Sequence, residues 1–327
     1  MKIREQLRSV LYLFWLGAAA GCYSAPVSLD VLTDVQPETA QPTNETIRIA
    51  TWNLHNFSVW GPGDYRVETV AAAIMELSPD ILAVQELKVA PDTEGEPPQA
   101  WHRLLDLLPQ HTGLHAPWST YDTTVGLIYR GDRVTVLGHE TLFEDDDYAF
   151  PRPPLRVWVS VDTGEGQMTF DLIVLHLKAF GDSVERRREA LEKLDALLDA
   201  EGDPRTVVLG DFNDTPYDSQ ADNVYWETFL NMEPEYYFVT MALPPGTVSS
   251  TGWFHIEDGV EKPGEFLDHI ILTGPLYEAF DSVTAWVEPV EEAEYDDYEQ
   301  LLSDHFPVWV DIKPTRLSSR PPAQRRR

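Results

Sequence analysis

The sequence VVLGDFNDTP occupies residues 207–216. Its first part, Val207 to Gly210, is a short run of β-branched and aliphatic residues, which is typical of a buried strand. Asp211 and Asn213 follow directly, so a carboxylate and an amide stand where a rigid strand passes into a loop. Binding and catalytic side chains often occupy such positions. A turn or a cap would also explain one polar residue there, so this segment alone does not establish a site.

The same arrangement recurs at five further strand ends along the chain. Each joins an apolar run to a carboxylate, an amide or an imidazole, and the polar residues are Asn53, Glu86, His176, Asp268 and the pair Asp304 and His305. Capping explains one such residue, whereas the whole set indicates a common site.

The residue types narrow the chemistry of that site. Carboxylate and amide oxygens are hard ligands, which suit Mg²⁺, Mn²⁺ or Ca²⁺. Zinc is disfavoured because His176 and His305 lie on distant segments and the chain has a single cysteine, Cys22. A divalent cation that polarises a phosphoryl oxygen, with a carboxylate or imidazole that activates water, predicts the hydrolysis of phosphate esters.

The rest of the chain alternates predicted strands and helices. Helical spacing occurs from Val67 to Leu77 and from Val184 to Leu198, and we expect Arg186, Arg187 and Arg188 on the solvent face of the second helix. This alternation predicts a mixed α/β fold in which two sheets pack together with helices outside. The predicted strands are Ile47–Trp52, Ile81–Val84, Val125–Tyr129, Leu155–Val161, Phe170–His176, Val207–Gly210, His269–Leu272 and Val308–Ile312.

Six segments together resemble one known family. The chain is similar to the endonuclease/exonuclease/phosphatase superfamily, in whose order these segments occur, and the resemblance spans residues 47 to 312. It implies a four-layered α/β/β/α sandwich, in which two mixed β-sheets are flanked by helices, and divalent-metal-dependent phosphoesterase activity. The segments are ATWNLHNF (50–57), LAVQELK (82–88), VLHLKAF (174–180), VVLGDFNDTP (207–216), FLDHIIL (266–272) and SDHFPVWV (303–310).

The resemblance also implies a metal side of the site. Glu86 is then the principal ligand of Mg²⁺ or Mn²⁺, with Asn53 assisting and Asp304 on the same side; the number of ions, one or two, stays open. Two positive residues, Arg152 and Lys178, are candidates for binding the substrate phosphate.

The remaining roles concern water and phosphate. By the same resemblance, Asp211 orients or deprotonates the attacking water and Asn213 holds that water or a phosphate oxygen. His305 contacts the scissile phosphate or acts as a base, with Asp268 as its partner, and His176 donates to a phosphate oxygen. Tyr121 stands near the place where the family often has a tyrosine that faces the phosphate.

Composition bears on the substrate. The chain has 24 Lys and Arg against 55 Asp and Glu, a formal net charge of −31, which argues against binding nucleic acid by bulk charge. Our leading hypothesis is still a nuclease that acts on DNA or RNA, since a cation and a local basic strip can supply positive charge. The alternative is a phosphoesterase of small molecules or lipid headgroups, such as a sphingomyelinase-like enzyme. A third possibility is a surface lipoprotein without catalytic activity.

Aromatic residues do not decide between these hypotheses. The segment Tyr236-Tyr237-Phe238 is a candidate for the membrane-inserting hairpin of sphingomyelinase-type members. Trp253, Phe254 and Phe266 either stack on a base or lipid headgroup, or belong to the core or its rim.

The two ends of the chain have a separate organisation. Residues 1–21 have a basic start and an apolar stretch of about 16 Å as a helix, which is too short to span a bilayer and typical of a signal peptide. Small residues precede Cys22 as in a bacterial lipobox, so we expect lipidation there, followed by a flexible tether (22–45), a catalytic domain (46–312) and a basic disordered tail (313–327). Our leading hypothesis is an exported lipoprotein that a lipid anchor attaches to the outer membrane or cell surface. The alternative is a periplasmic or secreted protein whose signal peptide is cleaved. We expect a monomer.

Overall fold

A computed structural model describes the body of the chain. It covers residues 46–57, 66–89, 99–117, 123–180, 183–202, 204–230, 232, 234–244, 246–250, 256–257, 260–261, 264–288 and 295–315. The predicted signal peptide, Cys22, the tether, most of the basic tail and Tyr121 lie outside these residues. Among the residues described, no helix combines the length and the apolar character needed to cross a membrane.

The described residues form strands and helices in alternation. The strands are β1 (Ile47–Phe57), β2 (Ile81–Leu87), β3 (His111–His115), β4 (Thr124–Arg130), β5 (Val134–Thr141), β6 (Leu155–Asp162), β7 (Gln167–His176), β8 (Thr206–Asp211), β9 (Tyr236–Phe238), β10 (Ile256–Glu257), β11 (Val260–Glu261), β12 (Asp268–Thr273), β13 (Phe280–Val287) and β14 (Val308–Pro314). The α-helices are α1 (Val67–Leu77), α2 (Ala100–Asp106), α3 (Val184–Glu201), α4 (Gly274–Tyr277) and α5 (Tyr295–Leu301), and Val239–Ala242 forms a 3₁₀ turn.

Two mixed sheets of six strands each form the centre of the fold. Their strand orders are β13-β14-β1-β2-β4-β3 and β5-β6-β7-β8-β12-β9. Each sheet contains one parallel pair, β1 with β2 and β7 with β8, while the other described neighbours are antiparallel. A helix links each parallel pair, α1 in the first sheet and α3 in the second. Asn53 on β1 is hydrogen-bonded to Asp211 at the end of β8, so both pairs direct the carboxyl ends of their strands toward one edge of the molecule.

The buried side chains form three main layers. One apolar cluster contains inward residues of both sheets, such as Ile49 and Leu209, and lies between them. A second joins the outer face of the first sheet to α1 and α2 through residues such as Ile74, and a third joins the second sheet to α3 through residues such as Leu194. These layers confirm the expected α/β/β/α sandwich.

The predicted strands and helices are all present, and the structure corrects several details. Strand β14 continues to Pro314, two residues beyond the predicted domain end. Arg187 was expected on the solvent face of α3, but its side chain is buried because it pairs with the carboxylate of Asp214. Tyr236-Tyr237-Phe238 is the edge strand β9 rather than a membrane hairpin, and the Tyr237 ring stacks on Tyr277.

Gly210 explains how β7 and β8 approach each other at the edge that carries Asp211. Its φ of +146° and its position leave no room for a side chain, because a Cβ there would lie 2.0 Å from the carbonyl oxygen of Leu175. A glycine at this position therefore lets the last residues of the two strands, His176 and Asp211, become register partners.

His269 anchors β12 in the outer core of the second sheet. Its Nε2 lies 3.0 Å from the carbonyl oxygen of Asp214, and the rings of Phe212, Tyr225 and Phe266 surround it. Burial lowers the pKa of His269 to about 3. The folded protein therefore keeps this imidazole neutral, whereas the unfolded chain protonates it below about pH 6.5.

We predict that His269 makes the folded protein less stable in acid. Between about pH 6.5 and 3 the imidazole is protonated in the unfolded state but neutral in the folded state. The free energy of unfolding therefore falls by up to about 1.4 kcal/mol for each unit by which the pH is lowered. Urea unfolding at pH 7.5 and 5.5 measures this fall. In His269→Gln it should be smaller than in the wild type by about 1 kcal/mol. An identical fall in both proteins would contradict the assignment.

Candidate active site

Strand alternation explains why polar side chains collect between the two sheets. Along β8, Val207 and Leu209 face the inter-sheet core, so Asp211 faces the same space two residues later. The same period of two directs Asn53 on β1, His176 on β7 and Asp268 on β12 into that space. The site is thus the open edge of the inter-sheet layer, where the apolar core gives way to polar residues.

Strand register sets three of these residues side by side. His176 pairs with Asp211 across the parallel pair β7 and β8, and Asp211 pairs with Asp268 across the antiparallel pair β8 and β12. All three side chains are buried. The His176 Nε2 lies 3.5 Å from Asp211 Oδ2. Two carboxylates and an imidazole therefore share one buried row.

The segment before β14 brings His305 to this row. The imidazole Nδ1 of His305 donates to Asp268 Oδ2 at 2.7 Å, and its Nε2 lies 3.8 Å from Asp211 Oδ2. Hydrogen bonds from Trp52 Nε1 to the His305 carbonyl, and from the His305 N–H to the Ser303 hydroxyl, fix the backbone. Ligand atoms of Asp211, Asp268 and His305 lie within 4.8 Å of one another, so this cluster has the dimensions of a metal site.

Asn53 connects this row to Glu86 on the opposite sheet. Its Nδ2 donates to Asp211 Oδ2 at 2.9 Å and to Glu86 Oε1 at 3.2 Å, while its Oδ1 accepts the N–H of His55 at 3.0 Å. The amide group must face the carboxylates, because both of them are acceptors. In this structure Asn53 therefore bridges two carboxylates by donation, which differs from the ligand role that the resemblance implies.

Glu86 is held in an unusual backbone conformation. Its φ is +60°, in the left-handed region, and its Oε2 accepts the N–H of Asn56 at 2.7 Å. His55, Asn56 and Asn213 also have positive φ values between 46° and 53°. Such conformations cost energy outside glycine, and they commonly cluster at functional sites.

Asp304 reaches the same side of the site through His55. Its carboxylate oxygen Oδ1 lies 3.6 Å from His55 Nδ1, and the His55 N–H is bound to Asn53. Sequence reasoning assigned no role to His55. His55 lies two residues after Asn53 in the segment ATWNLHNF (50–57), and this position is the sequence signal that could have identified it.

The predicted phosphate-binding residues meet at the loop that follows His176. Lys178 belongs to this loop, and Arg152 Nη1 donates to its Leu177 carbonyl oxygen at 3.5 Å. Arg152 Nε donates to the Thr123 hydroxyl at 2.9 Å, and Lys178 Nζ lies 3.3 Å from the Ala179 carbonyl oxygen. Asn213 donates through Nδ2 to the carbonyl oxygen of Leu177 at 3.1 Å. The structure therefore brings Arg152, Lys178 and Asn213 to the His176 loop. Tyr121 lies outside the described residues, and its role stays a prediction.

Burial and charge divide the two imidazoles into opposite states. Burial lowers the pKa of His176 well below its usual value, and the positive charges of Arg152, His305 and Lys178 lower it further. Burial also opposes the charged form of His305, but the carboxylates of Asp268 and Asp211 outweigh it and raise the His305 pKa well above the usual value. At neutral pH, His176 is therefore neutral and His305 is an imidazolium.

Asp211 has a pKa suited to proton transfer near neutral pH. Burial raises the pKa of its carboxyl to about 7, although the imidazolium of His305 acts in the opposite direction. Asp268 raises it further, and hydrogen bonds from Asn53 and Asn213 lower it. A general base works best when its pKa lies near the working pH. The site thus combines a base of this kind, an imidazolium and a neutral imidazole.

Comparison with known proteins supports the same fold. The model of the Endonuclease/Exonuclease/phosphatase family matches residues 50–305. No curated protein matches the chain. Similar solved structures include an endonuclease/exonuclease/phosphatase from Bacteroides vulgatus, with 21% identity and a TM-score of 0.55 over 83% of this chain and 99% of that one.

Two further solved structures come from animals. TDP2 from D. rerio, complexed with a single-strand DNA product, has 16% identity and a TM-score of 0.57 over 82% of this chain and 98% of that one. The human Nocturnin catalytic domain with a bound sulfate anion has 18% identity and a TM-score of 0.53 over 84% and 97% of the two chains. At these identities the likeness concerns the fold.

We predict that Asp268 keeps His305 charged. In the wild-type protein at pH 7.5, the imidazole ¹⁵N signals of His305 should show both ring nitrogens protonated. In Asp268→Asn the nearest negative charge is lost, so the His305 pKa should fall and the ring should become neutral at that pH. Asp304→Asn is the matched control, because Asp304 raises this pKa least among the named carboxylates. A neutral His305 ring in the wild type would contradict the prediction.

Proposed function

The chain belongs to the Endonuclease/Exonuclease/phosphatase family and is a hydrolase of phosphoester bonds, and from that premise we propose that it cleaves the phosphodiester bonds of DNA or RNA. The observation that carries the proposal is the buried row of Asp211, Asp268 and His305 beside His176. This arrangement offers a base and two distinct imidazoles at one place, which a protein without catalytic activity does not need.

Asp211 is the group that we propose activates water. Its carboxylate is buried, its pKa lies near neutral, and the N–H of Asn213 holds its Oδ1 at 2.8 Å. Asn53 holds the other oxygen, Oδ2, so the carboxylate has one orientation. A fixed base that faces a phosphate converts water attack into an oriented step.

His305 and His176 supply different interactions to the phosphate. The imidazolium of His305 carries a positive charge that the buried Asp268 carboxylate maintains, so its Nε2 can donate to a phosphoryl oxygen where negative charge develops. His176 is neutral, and its Nδ1 is buried and has no hydrogen-bond partner among the described residues. The neutral ring donates from one nitrogen and adds no charge.

The residues fit a divalent cation of the magnesium type. Glu86 is partly exposed beside Asn53, and its carboxylate oxygens, like those of Asp304, are hard ligands. Asp268 also has a buried oxygen, Oδ1, that no described donor satisfies. We propose Glu86 as the principal ligand of Mg²⁺ or Mn²⁺, with Asp304 on its side, because both side chains are partly exposed whereas Asp268 is buried. When bound, the cation polarises the phosphoryl oxygen and offsets its charge.

Local charge favours a nucleic acid substrate in spite of the acidic chain. The positive charges of Arg152, Lys178 and His305 all lower the His176 pKa, so these three side chains lie near His176 and we propose that the substrate phosphate binds beside them. The D. rerio TDP2 structure of the same fold holds a single-strand DNA product. The candidate for a membrane-inserting hairpin is instead a short edge strand, so this segment gives no support to a sphingomyelinase-like enzyme.

We further propose that the protein is an exported bacterial lipoprotein. The basic start and apolar stretch of residues 1–21, with small residues before Cys22, support this proposal. The segment 22–45 would then tether the catalytic domain to the membrane.

We predict that Asp211→Asn lowers kcat about 10²- to 10⁴-fold on a DNA or RNA strand, because the amide cannot accept the proton of water. Strand cleavage in Mg²⁺, followed by electrophoresis, measures the loss, and EDTA should abolish the wild-type activity. The matched control is Glu165→Gln, at the β6–β7 turn on the opposite end of the sheet. Wild-type kcat in Asp211→Asn would contradict the proposed role of the base.

We predict that a bacterial host attaches lipid at Cys22. Cells grown with an alkyne fatty acid should label the wild-type protein, and Cys22→Ser should remain unlabelled because it lacks the thiol that the lipid modifies. Label that persists in Cys22→Ser, or its absence from the wild type in the membrane fraction, would contradict the anchor.

A further inference from the structure

Phe180 combines an exposed ring with an unfavourable backbone conformation. Its side chain is 75% exposed, the largest fraction among the exposed large hydrophobic residues that the structure describes. Its φ is +77°, in the left-handed region that bulky residues rarely adopt. A residue that is both strained and exposed contributes little to the core, so its position needs another explanation.

Buried groups below the loop impose this conformation. Arg187 donates through Nη1 to the carbonyl oxygens of Phe180 and Lys178, both at 2.9 Å, and through Nε to the Asp214 carboxylate at 2.7 Å. The N–H of Ser183 also donates to the Phe180 carbonyl, at 3.1 Å. Since Arg187 is only 4% exposed, the backbone is held from inside while the Phe180 ring projects outward.

The ring lies beside Lys178, one of the side chains that we propose bind the substrate phosphate. Phe180 follows His176 by four residues. The Lys178 ammonium lies 4.8 Å from the centroid of the Phe180 ring. The same Lys178, together with Arg152, is close enough to His176 to lower its pKa. An aromatic surface and the positive environment of the phosphate are therefore adjacent.

A second exposed ring lies on the loop after β8. Tyr217 follows Asp211, the last residue of that strand, by six residues and is 46% exposed. Its ring packs on the buried ring of Phe266, with centroids 6.4 Å apart and planes at 26°. The Arg187–Asp214 ion pair joins the two loops that carry Phe180 and Tyr217. Phe266, which sequence reasoning left between core and site, is thus a buried support for Tyr217.

We propose that Phe180 is a base-stacking residue, with Tyr217 as a second one, and that both bind unpaired nucleobases next to the scissile phosphate. This inference rests on the proposed nuclease function and names its substrate as a single strand. Every base has a face that stacks on an aromatic ring, whereas a paired base keeps its faces inside the duplex. A lipid surface would need a contiguous apolar patch, whereas the contacts that the described residues make with Phe180 are the Lys178 ammonium and the hydrogen bonds to its carbonyl oxygen.

Two substrates of equal length and charge test the proposal. One is a single-stranded oligonucleotide, and the other has the same phosphodiester backbone with abasic tetrahydrofuran units. With the full chain in Mg²⁺, we expect Phe180→Leu to raise KM about 5- to 100-fold on the base-bearing strand and to leave KM on the abasic strand unchanged. Phe180→Trp should keep the wild-type KM, since it retains an aromatic face. Tyr217→Leu should act in the same direction as Phe180→Leu.

The control variant is Leu137→Ala, which removes an exposed apolar side chain from the middle of edge strand β5. It should leave KM unchanged on both substrates. Equal effects of Phe180→Leu on the two strands, or no effect on either, would overturn the stacking role while the nuclease proposal stands. If the wild type cleaves neither strand in Mg²⁺, both the nuclease function and this inference fail.

Discussion

The buried carboxylate of Asp211 is the constraint on which the rest of the site depends. A charge removed from water is costly unless it is paired and hydrogen-bonded. Here the neighbouring groups come from five segments: His176 from β7, Asn53 from β1, Asn213 from the loop after β8, Asp268 from β12, and His305 from the chain before β14. Because the two sheets must meet at this edge to satisfy one carboxylate, the fold and the site are a single arrangement.

The same edge also gathers positive side chains in an otherwise acidic chain. The formal net charge is −31, yet the positive charges of Arg152, Lys178 and His305 are close enough to His176 to lower its pKa. Repulsion between exposed charges is screened within about 10 Å at ordinary salt, so distant acidic residues affect an incoming strand less than these neighbours do. Under the proposed function, the acidic surface would slow the approach of a long polyanion, while these three side chains would still attract its phosphate at the site.

The sequence predicts most of this fold, because its central strands are apolar runs and its polar motifs stand at their ends. The prediction missed all four edge strands of the two main sheets, β3, β5, β9 and β13, because an edge strand is short or lacks a continuous run of buried apolar residues. We expected Arg187 on the solvent face of α3, although its spacing from Val184 and Leu191 puts it on the apolar face of that helix. This spacing predicts a buried position for Arg187, but its place in a run of three arginines favoured a solvent-exposed one.

Other features of the site were beyond sequence reasoning. The amide of Asn53 faces two carboxylates only because β1 and β8 approach each other from different sheets. The left-handed conformation of Phe180 depends on Arg187, which lies seven residues later on a helix. The residue types predict the chemistry of the site, whereas contacts between distant segments determine the orientation, charge state and exposure of its side chains.

The most direct measurement of the central claim follows the oxygen of the attacking water. The full chain would be incubated with Mg²⁺ and a single-stranded oligonucleotide in water enriched in ¹⁸O. Mass spectrometry would then give the masses of the products. We predict one ¹⁸O atom in the phosphate of each newly formed end, because water attacks phosphorus. Cleavage that leaves the new phosphates unlabelled, or no cleavage under these conditions, would contradict the account.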